Sequence, residues 1–150
     1  MEKILISACL IGDKVKYDGG DNLAKNPFLR ELLDRYELVP YCPEVGGGLS
    51  TPRTPNERKK ERVITKEGKD VTKEFLRGAD RALDLCLYLG IKVAILKERS
   101  PSCGVHEIHD GSFSNKLIKG EGVTTELLKR KGIRVISENE IEEFLKEKRD

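Results

Sequence analysis

Cys9, Cys42 and Cys103 each follow an apolar run that reads as a β-strand, and each lies among turn-forming and polar residues. Gly12 comes after the first, Pro43-Glu44 after the second, and Ser100-Pro101-Ser102 before the third. An inert core cysteine packs as a small hydrophobe and needs no such surroundings. Three converging thiolates have few uses. Zinc can take all three and keep a fourth position for water. An iron–sulfur cluster can take them with its customary fourth cysteine missing, leaving one iron open as a Lewis acid for a substrate atom. A dithiol redox couple is disfavoured, because no Cys-x-x-Cys occurs. A phosphatase-type nucleophile needs an arginine six residues after the cysteine, and those positions hold Val15, Gly48 and His109. On the residues alone, zinc and the cluster both stay open. Cys86 differs: it falls on the apolar face of a helical pattern and reads as core.

Positioning these thiols requires a frame, and the frame reads as alternating strands and helices. Strands are expected at Lys3 to Ala8, Leu38 to Tyr41, Ile91 to Leu96 and Ile133 to Ile136. Asn26-Pro27 is expected to open a helix, with Asn as cap and Pro at the first helical position. Asp70 is expected to cap a longer helix that closes at Gly90. Its Val71, Phe75, Ala79, Ala82, Leu83 and Cys86 follow helical spacing. A further helix is expected from Val123 to Lys131, stopped by Gly132. Ser137 and Glu140 form a capping box for the last helix, which turns Ile141, Phe144 and Leu145 inward. Asp110-Gly111 signals a small exposed hairpin between His106 and Ser114. Pro43 to Lys69 reads as one long irregular stretch, of the kind that is functional or mobile.

The fold class expected is therefore α/β. It is one domain over residues 1–150, in three layers, with a mostly parallel sheet of four or more strands, helices on both faces and a small hairpin. In such a sheet the carboxyl ends of the strands share one edge, where ligands bind. The three cysteines meet there despite their separation in sequence.

Composition narrows the function. Charged residues make up 36% of the chain, yet the net charge is only +2. No polycation seeking nucleic acid is implied. The basic run from Arg58 to Arg62 contains Glu61 and follows Glu57, so it reads as a solvated face. No apolar run approaches membrane length, and a cytoplasmic protein with reduced thiols is expected. Glutamine and tryptophan are absent while Lys and Glu abound, a bias resembling thermophile surface chemistry.

Together the motifs resemble the DUF523 family, whose best-understood members are thiouracil desulfurases. The matching segments are Ile6-Ser7-Ala8-Cys9-Leu10-Ile11-Gly12, Tyr17-Asp18-Gly19, Cys42-Pro43-Glu44-Val45, Gly47-Gly48-Leu49 and Pro52-Arg53. After them come Gly68-Lys69-Asp70-Val71-Thr72, Ile95-Leu96-Lys97, Ser100-Pro101-Ser102-Cys103-Gly104, Asp110-Gly111 and Gly120-Glu121-Gly122-Val123-Thr124. They run in order along nearly the whole chain. The resemblance implies a 4Fe–4S cluster on Cys9, Cys42 and Cys103, with the open iron taking sulfur from a thiolated pyrimidine such as 2-thiouracil. It implies catalytic roles for Glu44 and Ser100. The reaction expected is a non-redox desulfuration that releases hydrosulfide. The partner is a small thiolated nucleobase, with neither nucleic acid nor membrane. The rival is a non-catalytic iron–sulfur or zinc carrier or sensor, which would leave Glu44 and Ser100 without a task.

Weaker candidates for substrate contact are Asp18, Gly47, Gly48 and Arg53. Asp18 can also hold the loop after Cys9. The glycine run Gly46 to Gly48 can simply permit a turn. Arg53 and Lys97 suit an anionic substrate, although surface charge is the plainer reading. His106 and His109, close to Cys103, are expected on an exposed ribbon rather than in a site.

Overall fold

A computed structural model describes residues 1–20 and 27–148. Four strands form its main sheet: β1 (Lys3–Ser7), β2 (Glu37–Tyr41), β5 (Val93–Leu96) and β8 (Arg134–Ser137). Their spatial order is β2-β1-β5-β8, and every pair is parallel. The two central strands are near-continuous apolar runs, as burial on both faces demands. Alternation along each strand divides their side chains between two cores. Ile4, Ile6, Val93, Ile95 and Ile136 pack against Leu32 of α1 (Leu29–Arg35) and against Ile141, Phe144 and Leu145 of α5 (Ile141–Glu147). Leu5, Ala94, Leu96 and Val135 pack against Ala82 and Cys86 of α3 (Thr72–Leu89) and Leu128 of α4 (Val123–Arg130). The three-layer α/β expectation holds, and Cys86 is fully buried core.

Most elements begin and end where the sequence places them, with corrections at two caps. The first helix begins at Leu29, so Pro27 stands in the turn before it. The expected cap, Asn26, lies outside the described residues. The long helix starts at Thr72, not directly after Asp70. Asp70 still serves it from one position earlier, because its Oδ1 accepts the Thr72 amide at 2.9 Å. The Ser137–Glu140 capping box forms as expected, ahead of a short 3₁₀ turn that leads into α5.

The stretch from Pro43 to Lys69 is not irregular. It holds the short helix α2 (Pro43–Gly46) and a hairpin of β3 (Asn56–Lys59) and β4 (Arg62–Thr65). The hairpin stands on Val63, which packs with Val71 and Phe75 in a third small core. A second hairpin joins β6 (Glu107–His109) to β7 (Leu117–Lys119). Its return strand lies beyond Ser114, so Asp110-Gly111 opens a seven-residue loop rather than a tight turn. No described helix is long and apolar enough to cross a membrane.

Candidate active site

β1 has β2 on one side and β5 on the other, so the chain leaves it in both directions along the sheet. A crevice forms outside the carboxyl ends at such a switch point. It is a cavity of about 540 Å³, lined by Cys9, Cys42 and Cys103 together with Glu44, Arg53 and Ser100. The strand ends supply its floor, and the two hairpins with the loop 110–116 supply a wall bearing Asn56, His109 and Phe113.

Each thiol reaches the floor differently. Cys9 lies in the 3₁₀ turn Ala8–Ile11, directly after β1. Gly12 closes that turn at φ 100°, a left-handed backbone that a side chain would strain. Cys42 occupies the cap position of α2. Burial pushes its thiol up, and the amides of Val45 and Glu44 pull it part of the way back. Cys103 sits on the loop after β5 and is 4% exposed. Burial pushes its thiol up to about 12, the Ser102 and Ser7 hydroxyls oppose this, and Cys42 and Cys9 raise it further. The three sulfurs are thus near enough to feel one another. Among the described residues, however, no three Cys, His, Asp or Glu side chains gather to hold one metal ion.

The chemistry of the thiols bears on what they can hold. A zinc ion draws each thiolate to about 2.3 Å from a single point. A cluster takes its thiolates on separate irons, which sets them farther apart. A thiol as hard to ionise as Cys103 is a poor free nucleophile, whereas a bound metal deprotonates it outright. Three such thiols are a donor set that an iron–sulfur cluster can use, and Cys103 is ill suited to act as a free nucleophile.

The Cys103 loop is held from both sides. The carbonyls of Pro101 and Ser102 accept the first amides of α4, from Val123 and Thr124, at 3.0 and 2.8 Å. A Cβ on Gly122 would lie 2.3 Å from the Ser102 carbonyl carbon, so only glycine permits this approach. On the other side, buried Glu98 gathers four backbone amides on Oε1, from Arg99, Val105, His106 and Glu107. Burial alone would raise this carboxyl, but the amides outweigh it and hold it below the usual carboxylate range.

Glu44 is similarly fixed. Its Oε1 receives Nε and Nη2 of Arg53, both at 3.2 Å, and its Oε2 lies 3.3 Å from Ser102 Oγ. Ser100 Oγ accepts the amides of Ser102 and Cys103 at 3.2 and 3.1 Å. Those two bonds fill its lone pairs, so its own proton points to Ser102 Oγ, 3.0 Å away. Ser102 in turn offers its proton to Glu44 Oε2 or to Cys103 Sγ, at 3.4 Å. A directed chain of hydroxyls thus runs from Ser100 to Glu44.

Other expected contacts fall elsewhere. Arg53 lines the cavity, yet its remaining donors go to Val15 O, Ser50 O and Thr51 Oγ1, so it clamps Glu44 instead of waiting for an anion. Lys97 is likewise spent, bridging Glu138 and the Glu98 carbonyl. Gly47 and Gly48 do not line the cavity. A Cβ on Gly47 would lie 1.9 Å from Glu74 O, so its role is the close packing of α2 on α3. Asp18 also lies outside the cavity lining and holds its own loop by accepting the Gly20 amide at 2.8 Å. His106 is exposed and pairs with Glu140, as a ribbon residue should. His109 does not follow its neighbour, for it lines the cavity. Arg58 is no solvated charge either. Its side chain is 11% exposed and reaches Glu126 and the Glu121 carbonyl on and beside α4. Glu98 and Asn56 carry no sequence signal of their own, and Ser7 and Ser102 enter only as members of the segments around Cys9 and Cys103.

A family model described as 2-thiouracil desulfurase matches residues 4–140. An uncharacterized protein of Bacillus subtilis (strain 168), YbbK, is 41% identical, covering 95% of this chain and 99% of its own length. A solved structure of a 4Fe-4S-dependent thiouracil desulfidase, TudS, superimposes with a TM-score of 0.91 at 50% identity, over 95% of each chain.

Proposed function

Since the chain belongs to the 2-thiouracil desulfurase family, we propose that it removes sulfur from a thiolated pyrimidine such as 2-thiouracil, with a 4Fe–4S cluster held by Cys9, Cys42 and Cys103. The observation that carries this reading is the opening of three thiols, from three strand ends, into one cavity beside Glu44 and Ser100. When bound, the cluster supplies a Lewis-acidic iron for the thiocarbonyl sulfur, polarising C=S.

The remaining work falls to side chains. Arg53 fixes one oxygen of Glu44 and leaves the other facing the hydroxyl chain. Glu44 takes a proton from the attacking water, and positioned acid–base groups of this kind give about a hundred- to ten-thousand-fold in rate. Once Glu44 holds that proton the hydroxyl chain reverses, so Glu44 donates to Ser102, Ser102 to Ser100, and Ser100 toward the ring. The balance is thiouracil plus water giving uracil, hydrosulfide and a proton. Carbon keeps its oxidation state, so no reductant is consumed.

The test is sulfide release from 2-thiouracil by protein reconstituted anaerobically with iron and sulfide, without added reductant. Uracil and sulfide in equal amounts support the proposal. A loaded cluster that releases neither contradicts it and leaves the carrier role.

A further inference from the structure

Four side-chain polar atoms among the described residues are sealed from solvent and bonded to nothing: Asn56 Oδ1, Glu74 Oε2, His109 Nδ1 and Thr124 Oγ1. Glu74 and Thr124 sit on helices and do not line the cavity. Asn56 and His109 both line it, and both belong to the hairpin wall. Buried polar atoms are nearly always paired, so two orphans on one cavity wall ask for a partner from outside the chain. Both residues are only half-buried, and each presents part of its side chain to the cavity.

The floor cannot meet that need. Glu44 spends its oxygens on Arg53 and Ser102, and Ser100 spends its lone pairs on two amides. A flat substrate held only there would be free to spin about its bond to the floor. The wall also carries Phe113, half-buried and lining the cavity, with φ 56°, and Asn115 beside it with φ 62°. A bulky residue in the left-handed region is strained, and such strain gathers at ligand clamps. Glu57 holds this loop in place by accepting the Gly111 and Phe113 amides at 3.0 and 3.1 Å.

We propose that the hairpin wall is a ring-recognition subsite in which Asn56 and His109 pair with the polar edge of a pyrimidine-like ring and Phe113 covers its face. The inference rests on the desulfurase reading and names the residues that orient its substrate. Asn56 Oδ1 accepts a ring N–H. His109 Nδ1 accepts an N–H or donates to a ring carbonyl, according to which nitrogen carries its proton. Aromatic faces and amide or imidazole groups are what proteins use to read an unstacked base.

The experiment measures binding of uracil and 2-thiouracil to the reconstituted protein by calorimetry, alongside initial rates of sulfide release. Asn56→Leu and His109→Phe each raise the uracil Kd and the 2-thiouracil KM about tenfold or more. Both keep iron content unchanged, since the three cysteines are untouched, and the rise in KM exceeds any fall in kcat. Ligand changes test the same pairing without altering the fold. Ring N-methyl derivatives of 2-thiouracil bind wild type about tenfold more weakly than the parent, and the variants lose that discrimination. Unchanged Kd and KM in both variants, equal binding of parent and methylated rings, or no binding of uracil at all would overturn the subsite. Uracil binding that depends on the wall, without sulfide release, would sink the desulfurase reading and leave the subsite standing.

Discussion

The two sides of the cavity are built on opposite plans. The floor rests on parallel strand ends, and its polar groups are spent on one another: Arg53 on Glu44, Ser100 on Ser102, Glu98 on four amides. The wall rests on two small antiparallel ribbons, keeps two polar atoms unpaired and bends Phe113 and Asn115 into left-handed backbone. A fully bonded floor arrives at the reaction already organised, which is how electrostatic catalysis avoids rearrangement. An unsatisfied wall waits for something to satisfy it. The contrast separates chemistry from recognition, and substitutions on each side should separate kcat from KM.

The largest break comes from the floor. Glu44→Ala or Ser100→Ala is expected to lower kcat by roughly a hundred- to ten-thousand-fold while iron content stays at the wild-type level. Full activity in Glu44→Ala would remove it from the acid–base role. Arg53→Ala comes next. The pair it forms with Glu44 is 8% and 13% exposed, and stripping one partner from a buried pair costs about 3 kcal/mol or more. Urea unfolding should register that loss, and kcat should fall about tenfold as Glu44 loses its orientation. Arg53→Lys is not expected to restore either, because a point charge cannot reproduce the fork.

Glu98→Gln offers a pH signature. The Glu98 carboxyl lies lower in the folded protein than its unfolded value near 4.3. Its contribution is therefore complete at neutral pH and is lost as the pH falls below about 5 through the folded value. Wild type should lose its advantage over Glu98→Gln across that interval. At pH 7 the variant should be less stable by about 1–3 kcal/mol, because buried amides lose an ionised acceptor. A stability difference that stays constant with pH would show that the carboxylate charge is not what holds the loop. The smallest effect belongs to the wall's mooring. Arg58→Ala removes the tie from β3 to Glu126 of α4 and should cost about 1 kcal/mol in thermal unfolding, with kcat unchanged.

The contrast between floor and wall also explains what the sequence could tell. Strand ends are legible, because apolar runs end abruptly and a parallel sheet collects those ends on one edge. Cys9, Cys42 and Cys103 follow three such ends and line one cavity, whereas Glu44 and Ser100 are implied by the family resemblance and line it too. The β3–β4 hairpin was hidden because Asn56-Glu57-Arg58-Lys59 lacks apolar alternation, and Lys60-Glu61 lacks the glycine that usually marks such a turn. The Asp110-Gly111 pair suggested a tight exposed ribbon. The longer loop instead brings Phe113 and Asn115 to the cavity, and His109 lines it with them. Arg53 reads as a free cation in a loop. Only the fold places the Glu44 carboxylate and three other acceptors around it.

Counting iron after anaerobic reconstitution of wild type and of the four single cysteine-to-alanine variants tests the central assignment most directly. The account predicts about four irons per chain in wild type and in Cys86→Ala, with the cluster lost from Cys9→Ala, Cys42→Ala and Cys103→Ala alike. A cluster that survives removal of any one of those three, or wild type that binds a single zinc in place of iron, would contradict it.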